Sequence, residues 1–510
     1  MPGPTRRDFL KFGTAISGAL AAARLAARPN VLPASGSSLP NVIIFVFDAM
    51  SAKHLSLYGY PRRTSPNFER FAQRATVYHQ HYSAGNFTTP GTASLLTGLY
   101  PWSHRAINQS GLIRRDRVQQ NLFRQMGERY YRLAYSQNSW PNYFFGQFED
   151  SLERVLSPGS FSLLDQVFSA RFSGDLANSH RAFDDLLFQD GHAPASLVFG
   201  LAQNMALYET FVQAERAGQA PDVARATSTP IFFRLKDVFD GMLETITGLK
   251  APFLAYLHTW SPHDPYGPSH EFAAIFEDGW RPVAKPINVL SRGTRRTDIE
   301  KQRIRYDRYI ANVDFEFGRL LDGLQAKGIL DQSHVVVTSD HGDMLERGDV
   351  GHMTPLLYDP VVRVPLIISS PGQAARRDVD VPTSSVDVLP TLVHLTGGDV
   401  PAWAEGRVLP GLGGSEDPER SVFVCEAKDS RPMEPWSQAS FALRKGRYKL
   451  TYYMGYEQLD RQDRFELYDI ESDPEELHDL YSASSSTAED LRRELVERVQ
   501  AENAKYAGAG

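Results

Sequence analysis

The chain has 510 residues, 42% of them hydrophobic, enough to bury one large core and a smaller second one. Its net charge of −7 and pI near 6.1 argue against a general nucleic-acid binder, so any anion it handles must be met by a local site. A single cysteine, Cys425, excludes an intrachain disulfide, and its place after Val422-Phe423-Val424 reads as a buried strand position.

At the start of the chain, Thr5-Arg6-Arg7-Asp8-Phe9-Leu10-Lys11 matches the twin-arginine export pattern, and a weakly apolar Gly/Ala-rich run follows from Phe12 to Ala27. That run lacks the roughly 20 consecutive apolar residues of a membrane span. The expectation is a signal and linker over residues 1–38. The twin-arginine translocation machinery would be its partner, and its destination periplasmic, cell-envelope or extracellular. Asn41 to Phe47 is a largely apolar, β-branched run that reads as a parallel strand buried on both faces. It ends at Asp48, where open α/β sheets place ligand sites, so Asp48 is either a metal ligand or a cap of the next turn.

Asn86 to Gly98, N-F-T-T-P-G-T-A-S-L-L-T-G, presents two threonines before a proline and then a buried helical pattern. A hydroxyl at such a helix start faces unpaired N–H groups and the positive end of the dipole, which favours an alkoxide or a bound anion. Tyr131 to Gln137 reads as another strand, leading to Asn138-Ser139-Trp140. Between Asp150 and Leu249 only helix-like segments such as Pro194 to Ala214 stand out, and the region reads as an insertion that walls or covers a pocket. Pro252 to His258 is a further buried strand, opening into Ser261-Pro262-His263-Asp264-Pro265-Tyr266.

From Thr297 to Lys327 the pattern is helical, with Tyr309, Val313, Phe317, Leu320, Leu321 and Leu324 on one face. The charges around its start (Arg292, Arg295, Arg296, Asp298, Glu300, Lys301, Arg303 and Arg305) read as a solvated surface. Val335 to Thr338 is a buried strand that delivers Asp340 and His341 at its C-terminal end. Toward the end of the chain, Phe441 to Tyr453 and Arg464 to Asp469 read as antiparallel strands, and Thr487 to Tyr506 as a terminal helix.

Several of these stretches together resemble the sulfatase family of the alkaline phosphatase superfamily. The family carries C/S-x-P-S-R-x-x-L-x-T-G, and Pro90, Leu95, Thr97 and Gly98 fall on its fixed positions, which puts Thr88 on the nucleophile and Thr92 on the arginine. Asp48 to Tyr60 is similar to the family's opening segment, with Ala49 where many members have a second aspartate. His263 falls on the histidine of P-H-x-P-Y, Thr338 to Gly342 on T-S-D-H-G, His352 on a substrate-contacting lysine or histidine, and Asp387 to Leu392 on D-x-x-P-T-L.

The resemblance implies an α/β fold: a large, mostly parallel, alkaline phosphatase-like sheet sandwiched by helices over 39–400, and a small C-terminal α+β subdomain over 401–510. It implies one divalent metal ion held by Asp48, Thr88, Asp340 and His341, with Asn138, His263 and His352 toward an anionic ester substrate. This mixed O/N set favours Zn²⁺ or Mn²⁺ over Ca²⁺, which stays possible. Formylglycine, the sulfatase nucleophile, is an aldehyde, and a β-branched threonine could be oxidised only to a ketone, so none is expected here. The expected activity is hydrolysis or transfer of phosphate or sulfate esters through a covalent intermediate on Thr88. A sulfuric ester hydrolase working without formylglycine and a catalytically silent binding protein of the same fold are the alternatives.

Overall fold

The computed structural model describes residues 39–162, 223–227, 231–481 and 486–507. The twin-arginine pattern and the segment 194–214 lie outside the described residues. Among the described residues, no helix is long and apolar enough to cross a membrane.

The main sheet is built from β1 (Asn41–Phe47), β2 (Thr76–Tyr78), β3 (Tyr131–Ser136), β4 (Arg154–Leu156), β5 (Phe253–Thr259), β6 (Ser333–Thr338), β7 (Leu366–Ser369) and β8 (Arg377–Val379). Their order is β8-β2-β7-β6-β1-β5-β3-β4. The run from β6 to β4 is parallel throughout, and β7 is antiparallel to both of its neighbours. Every residue of β1, β5 and β6 is buried, as the unbroken apolar runs require of strands covered on both faces.

The principal helices are α1 (Thr88–Thr97), α2 (Ser139–Gln147), α3 (Leu235–Thr247), α4 (Arg296–Ala326) and α5 (Ser486–Ala504). α3 and α4 cover the sheet face that carries Ile43, Phe45 and Phe47. Phe317 of α4 meets Phe45 and Phe47 edge-on, each at 5.6 Å between ring centroids. On the opposite face Phe145 of α2 packs edge-on against Tyr256 of β5 at 5.7 Å.

The solvated charge run at the start of α4 needs one correction. Arg295 and Arg296 are exposed, but Arg303 is buried, because it falls on the inward stripe three residues before Tyr306 and seven before Ile310. Its guanidinium donates to the Leu345 carbonyl and lies against His54.

A second sheet, β9 (Val422–Glu426), β10 (Ala439–Lys445), β11 (Tyr448–Met454) and β12 (Arg464–Asp469), is antiparallel in sequence order. α5 joins its core through Leu491, Leu495 and Val499, and Cys425 of β9 is buried there. Lys449 of β11 ties this sheet to the short helix Asp359–Val362 that precedes β7, its ammonium 2.8 Å from both Asp359 and Glu476, all three buried. Burial alone would lower the Lys449 pKa, but the two carboxylates hold it above its usual range. Lys449→Met leaves Asp359 with only the more distant Arg363 at 3.9 Å and takes from Glu476 the ammonium it pairs with, and an unfolding stability loss of about 3–5 kcal/mol is expected. A denaturant midpoint equal to that of the wild type would refute this coupling.

Candidate active site

Strand register assembles the site. One row across the main sheet reads Ser136, His258, Val46, Thr338, each paired with the next. Two residues further along their strands, Asn138, Asp48 and Asp340 emerge at the C-terminal edge on the side of that same row. His258 reaches the same point from within β5, and His341 follows Asp340. Asp48, His258, Asp340 and His341 are all buried.

Each carboxylate has one oxygen tied down and one turned inward. Asp340 Oδ1 accepts from the backbone N–H of His341 (3.0 Å) and of Ala49 (3.3 Å), while Asp48 Oδ2 accepts from Asn138 Nδ2 (2.6 Å). Asp340 Oδ2, Asp48 Oδ1 and His258 Nε2 have no hydrogen-bond partner although all three are buried. Such atoms are expensive to leave unmatched, and two carboxylates facing imidazoles are a donor set that fits a divalent cation. The charge state points the same way. Burial and the neighbouring Asp48 raise Asp340 above the usual carboxylate range. Burial works against a charged His341, yet the Asp340 and Asp48 carboxylates push its pKa up to about 9.

Thr88 opens α1, whose first backbone bond runs from the Gly91 N–H to the Phe87 carbonyl, so the Thr88 and Thr89 N–H groups stay outside the ladder. Thr88 Oγ1 lies 3.3 Å from His341 Nε2 and 3.3 Å from Asn138 Nδ2. Thr89 turns away and donates to the Gln109 carbonyl at 2.5 Å, which separates the two adjacent threonines. Gly91 lets the helix come close: a Cβ there would stand 2.1 Å from the Asp340 carbonyl oxygen. Asn138, expected on the substrate side, directs its amide to Asp48 and Thr88 and so orients the hydroxyl.

His263 and His352 form the opposite wall, their ring centroids 4.7 Å apart, and His352 is 4.3 Å from His341. His263 Nδ1 donates to the Asp264 carbonyl at 2.6 Å, leaving Nε2 for the site, and the Trp260 ring covers it at 4.2 Å. Burial would lower the His263 pKa, but Asp48, Asp264 and Asp343 raise it above its ordinary value. His352 lies well below, through burial and the charges of His341 and His263.

The structure thus brings Asp48, Thr88, Asn138, His263, Asp340, His341 and His352 together. It adds His258, which sequence reasoning passed over as the end of a strand. The available signal was parity: once β5 lies beside β1, a polar residue at the level of Val46 must face the Asp48 side.

An alkaline phosphatase-like α/β sheet with a buried hydroxyl set beside a carboxylate and imidazole cluster defines an ester hydrolase. The family model described as Sulfatase matches residues 40–192 and 205–398, and the chain belongs to the sulfatase family. A model described as N-sulphoglucosamine sulphohydrolase, C-terminal, matches residues 352–505. Choline-sulfatase of Rhizobium meliloti (strain 1021) is 26% identical over 472 residues, covering 86% of this chain and 82% of its own. Among solved structures, the phosphonate monoester hydrolase SpPMH from Silicibacter pomeroyi aligns with a TM-score of 0.63 at 20% identity, over 92% of this chain and 96% of its own. The phosphonate monoester hydrolase of Agrobacterium radiobacter gives a TM-score of 0.64 at 17% identity, over the same shares of 92% and 96%. At these identities the two structures speak to the fold.

Proposed function

We propose that the protein hydrolyses phosphate-type esters, or transfers them to an alcohol, through a covalent ester on Thr88. The observation that carries this reading is the placement of Thr88 Oγ1 between His341 and Asn138 at the edge of the cation-ready cluster. Threonine cannot become an aldehyde, so the ester formed on it must be released by direct attack at phosphorus or sulfur, a route phosphoryl centres take readily.

Asp48, Asp340 and His341, with the Thr88 oxygen, would hold one divalent metal ion. Such an ion supplies Lewis acidity that lowers a hydroxyl pKa and offsets the charge of an anionic ester. Asn138 orients the Thr88 oxygen, and the N-terminal end of α1 favours negative charge on it. Thr88 Oγ1, its proton lost to solvent, attacks phosphorus as the bond to the leaving oxygen breaks. When water attacks in turn, the bond from phosphorus to Oγ1 breaks and Thr88 departs as the same oxygen anion. His263, its Nε2 facing the site, delivers a proton to the leaving oxygen and later takes one from the attacking water. His352 lies beside it to contact the ester oxygens.

Sulfate ester hydrolysis is the second reading, favoured by the family match and the likeness to a choline-sulfatase. The Thr5 to Lys11 pattern supports export by the twin-arginine route. Metal-loaded enzyme assayed on aryl phosphate monoesters and diesters, a phosphonate monoester and an aryl sulfate separates the readings. The expected result is turnover of a phosphorus ester, with a phosphoryl adduct on Thr88 after acid quench. Turnover of the sulfate alone would replace the first reading by the second.

A further inference from the structure

Resting on the metal-dependent reading above, we propose that His258 is a direct ligand of the ion, giving a centre of two carboxylates, two imidazoles and the Thr88 oxygen that selects transition metals over calcium.

Distances carry the assignment. His258 Nε2 stands 3.6 Å from Asp48 Oδ2 and 3.6 Å from Asp340 Oδ2, while His341 Nε2 stands 3.4 Å from Asp48 Oδ1 and 3.7 Å from Asp340 Oδ2. These separations exceed the N–H···O hydrogen-bond range. The three that involve the inward oxygens, Asp340 Oδ2 and Asp48 Oδ1, suit ligand atoms that share an ion: bonds of about 2.0–2.2 Å place neighbouring donors of a five-ligand ion ~2.8–3.8 Å apart. Asp48, His258 and Asp340 can each offer one ligand atom within 4.8 Å of the others.

Orientation agrees. His341 Nδ1 donates to the Gly342 carbonyl at 2.8 Å, and His258 Nδ1 is 3.2 Å from the Tyr256 hydroxyl. Metal-bound histidines are held in this way through the ring nitrogen away from the ion, which fixes the tautomer and ring plane. Both imidazoles therefore present Nε2 to the same point. Ala49, directly after Asp48, contributes no side-chain donor, and its left-handed backbone (φ 61°) is held by the Tyr306 hydroxyl donating to its carbonyl. The donor absent on that side is supplied by the neighbouring strand. A set with two nitrogen donors serves Zn²⁺, Mn²⁺ or Co²⁺ well and Ca²⁺ poorly, since Ca²⁺ takes six to eight oxygens.

The test is made on Co²⁺-substituted full-length protein without substrate. Wild type should show two exchangeable imidazole N–H resonances shifted by the paramagnetic ion, one from His258 and one from His341. His258→Ala should lose one of them and bind Co²⁺ and Zn²⁺ at least about tenfold more weakly. His258→Asp should narrow the preference for Zn²⁺ over Ca²⁺ in competition titrations. A single shifted resonance in wild type, or an affinity in His258→Ala within twofold of wild type, overturns the assignment. The resonance count in wild type stands even if the variants do not fold. Absence of ester turnover by the loaded wild type would strike the proposed activity and leave the ligand assignment intact.

Discussion

Replacing Thr88 by alanine is expected to lower turnover of the preferred ester by at least ~10³-fold, the scale on which removing a covalent nucleophile acts. Metal affinity should fall only modestly, since Asp48, Asp340 and the two imidazoles do not depend on the hydroxyl for their positions. Asp340 Oδ1 is fixed by backbone N–H groups and Asp48 Oδ2 by Asn138. Thr88→Ser keeps an oxygen at the head of α1 and should stay within roughly tenfold of wild type. The adduct recovered from quenched wild type should be absent from Thr88→Ala, and Thr89→Ala should keep it, because Thr89 points to Gln109. Burst kinetics and intact mass on the three variants check this. Full activity in Thr88→Ala would refute the covalent mechanism.

Asp48→Asn should have the second largest effect, a loss of more than about 100-fold in metal affinity, beyond what is usual for residues that merely support a ligand. The same charge bears on stability in the metal-stripped protein. Burial works against a charged Asp48, yet His263, His258 and His341 hold its carboxyl well below the usual range. A carboxyl whose folded pKa lies below its unfolded value contributes stability that is present above the unfolded pKa and is lost as pH falls through the folded one. Asp48→Asn removes that contribution, and the stripped variant should unfold at a lower temperature than stripped wild type at neutral pH. Adding Zn²⁺ at 100 times its Kd should stabilise wild type by about 2.7 kcal/mol and the variant by far less at the same concentration. Thermal unfolding with and without Zn²⁺ checks both, and equal stabilisation of the two proteins would exclude Asp48 as a ligand.

Much of this site could be read from the chain. Asp48 and Asp340 each follow a run of apolar, β-branched residues; a strand buried on both faces can present a charge only at its ends, and open α/β sheets place their sites at the C-terminal ones. Thr88 was singled out by the helix it opens and by motif spacing. His258 was not, because its polarity is set inside an apolar run, and its facing follows only from which strand lies beside β5. Neighbour order is a property of the whole sheet. Arg303 reads as surface in the sequence for a related reason: a charge run hides the one member that shares a helical stripe with Tyr306 and Ile310. Asn138 lay at the expected strand end, but its role came from the proximity of Asp48 and Thr88, residues distant in sequence. The short strands β2, β7 and β8 on one side of the sheet carry too few residues to show a period.

The absence of a side chain at Gly91 reaches beyond local packing. With no room for a methyl group between the first turn of α1 and the carbonyl of Asp340, the helix and the loop behave as a single casting, which fixes the point from which residue 88 projects while the Asn138 amide aims its oxygen. New chemistry on such a casting needs no redesign of the frame. Serine, cysteine or threonine at position 88 would each present its heteroatom at the same address.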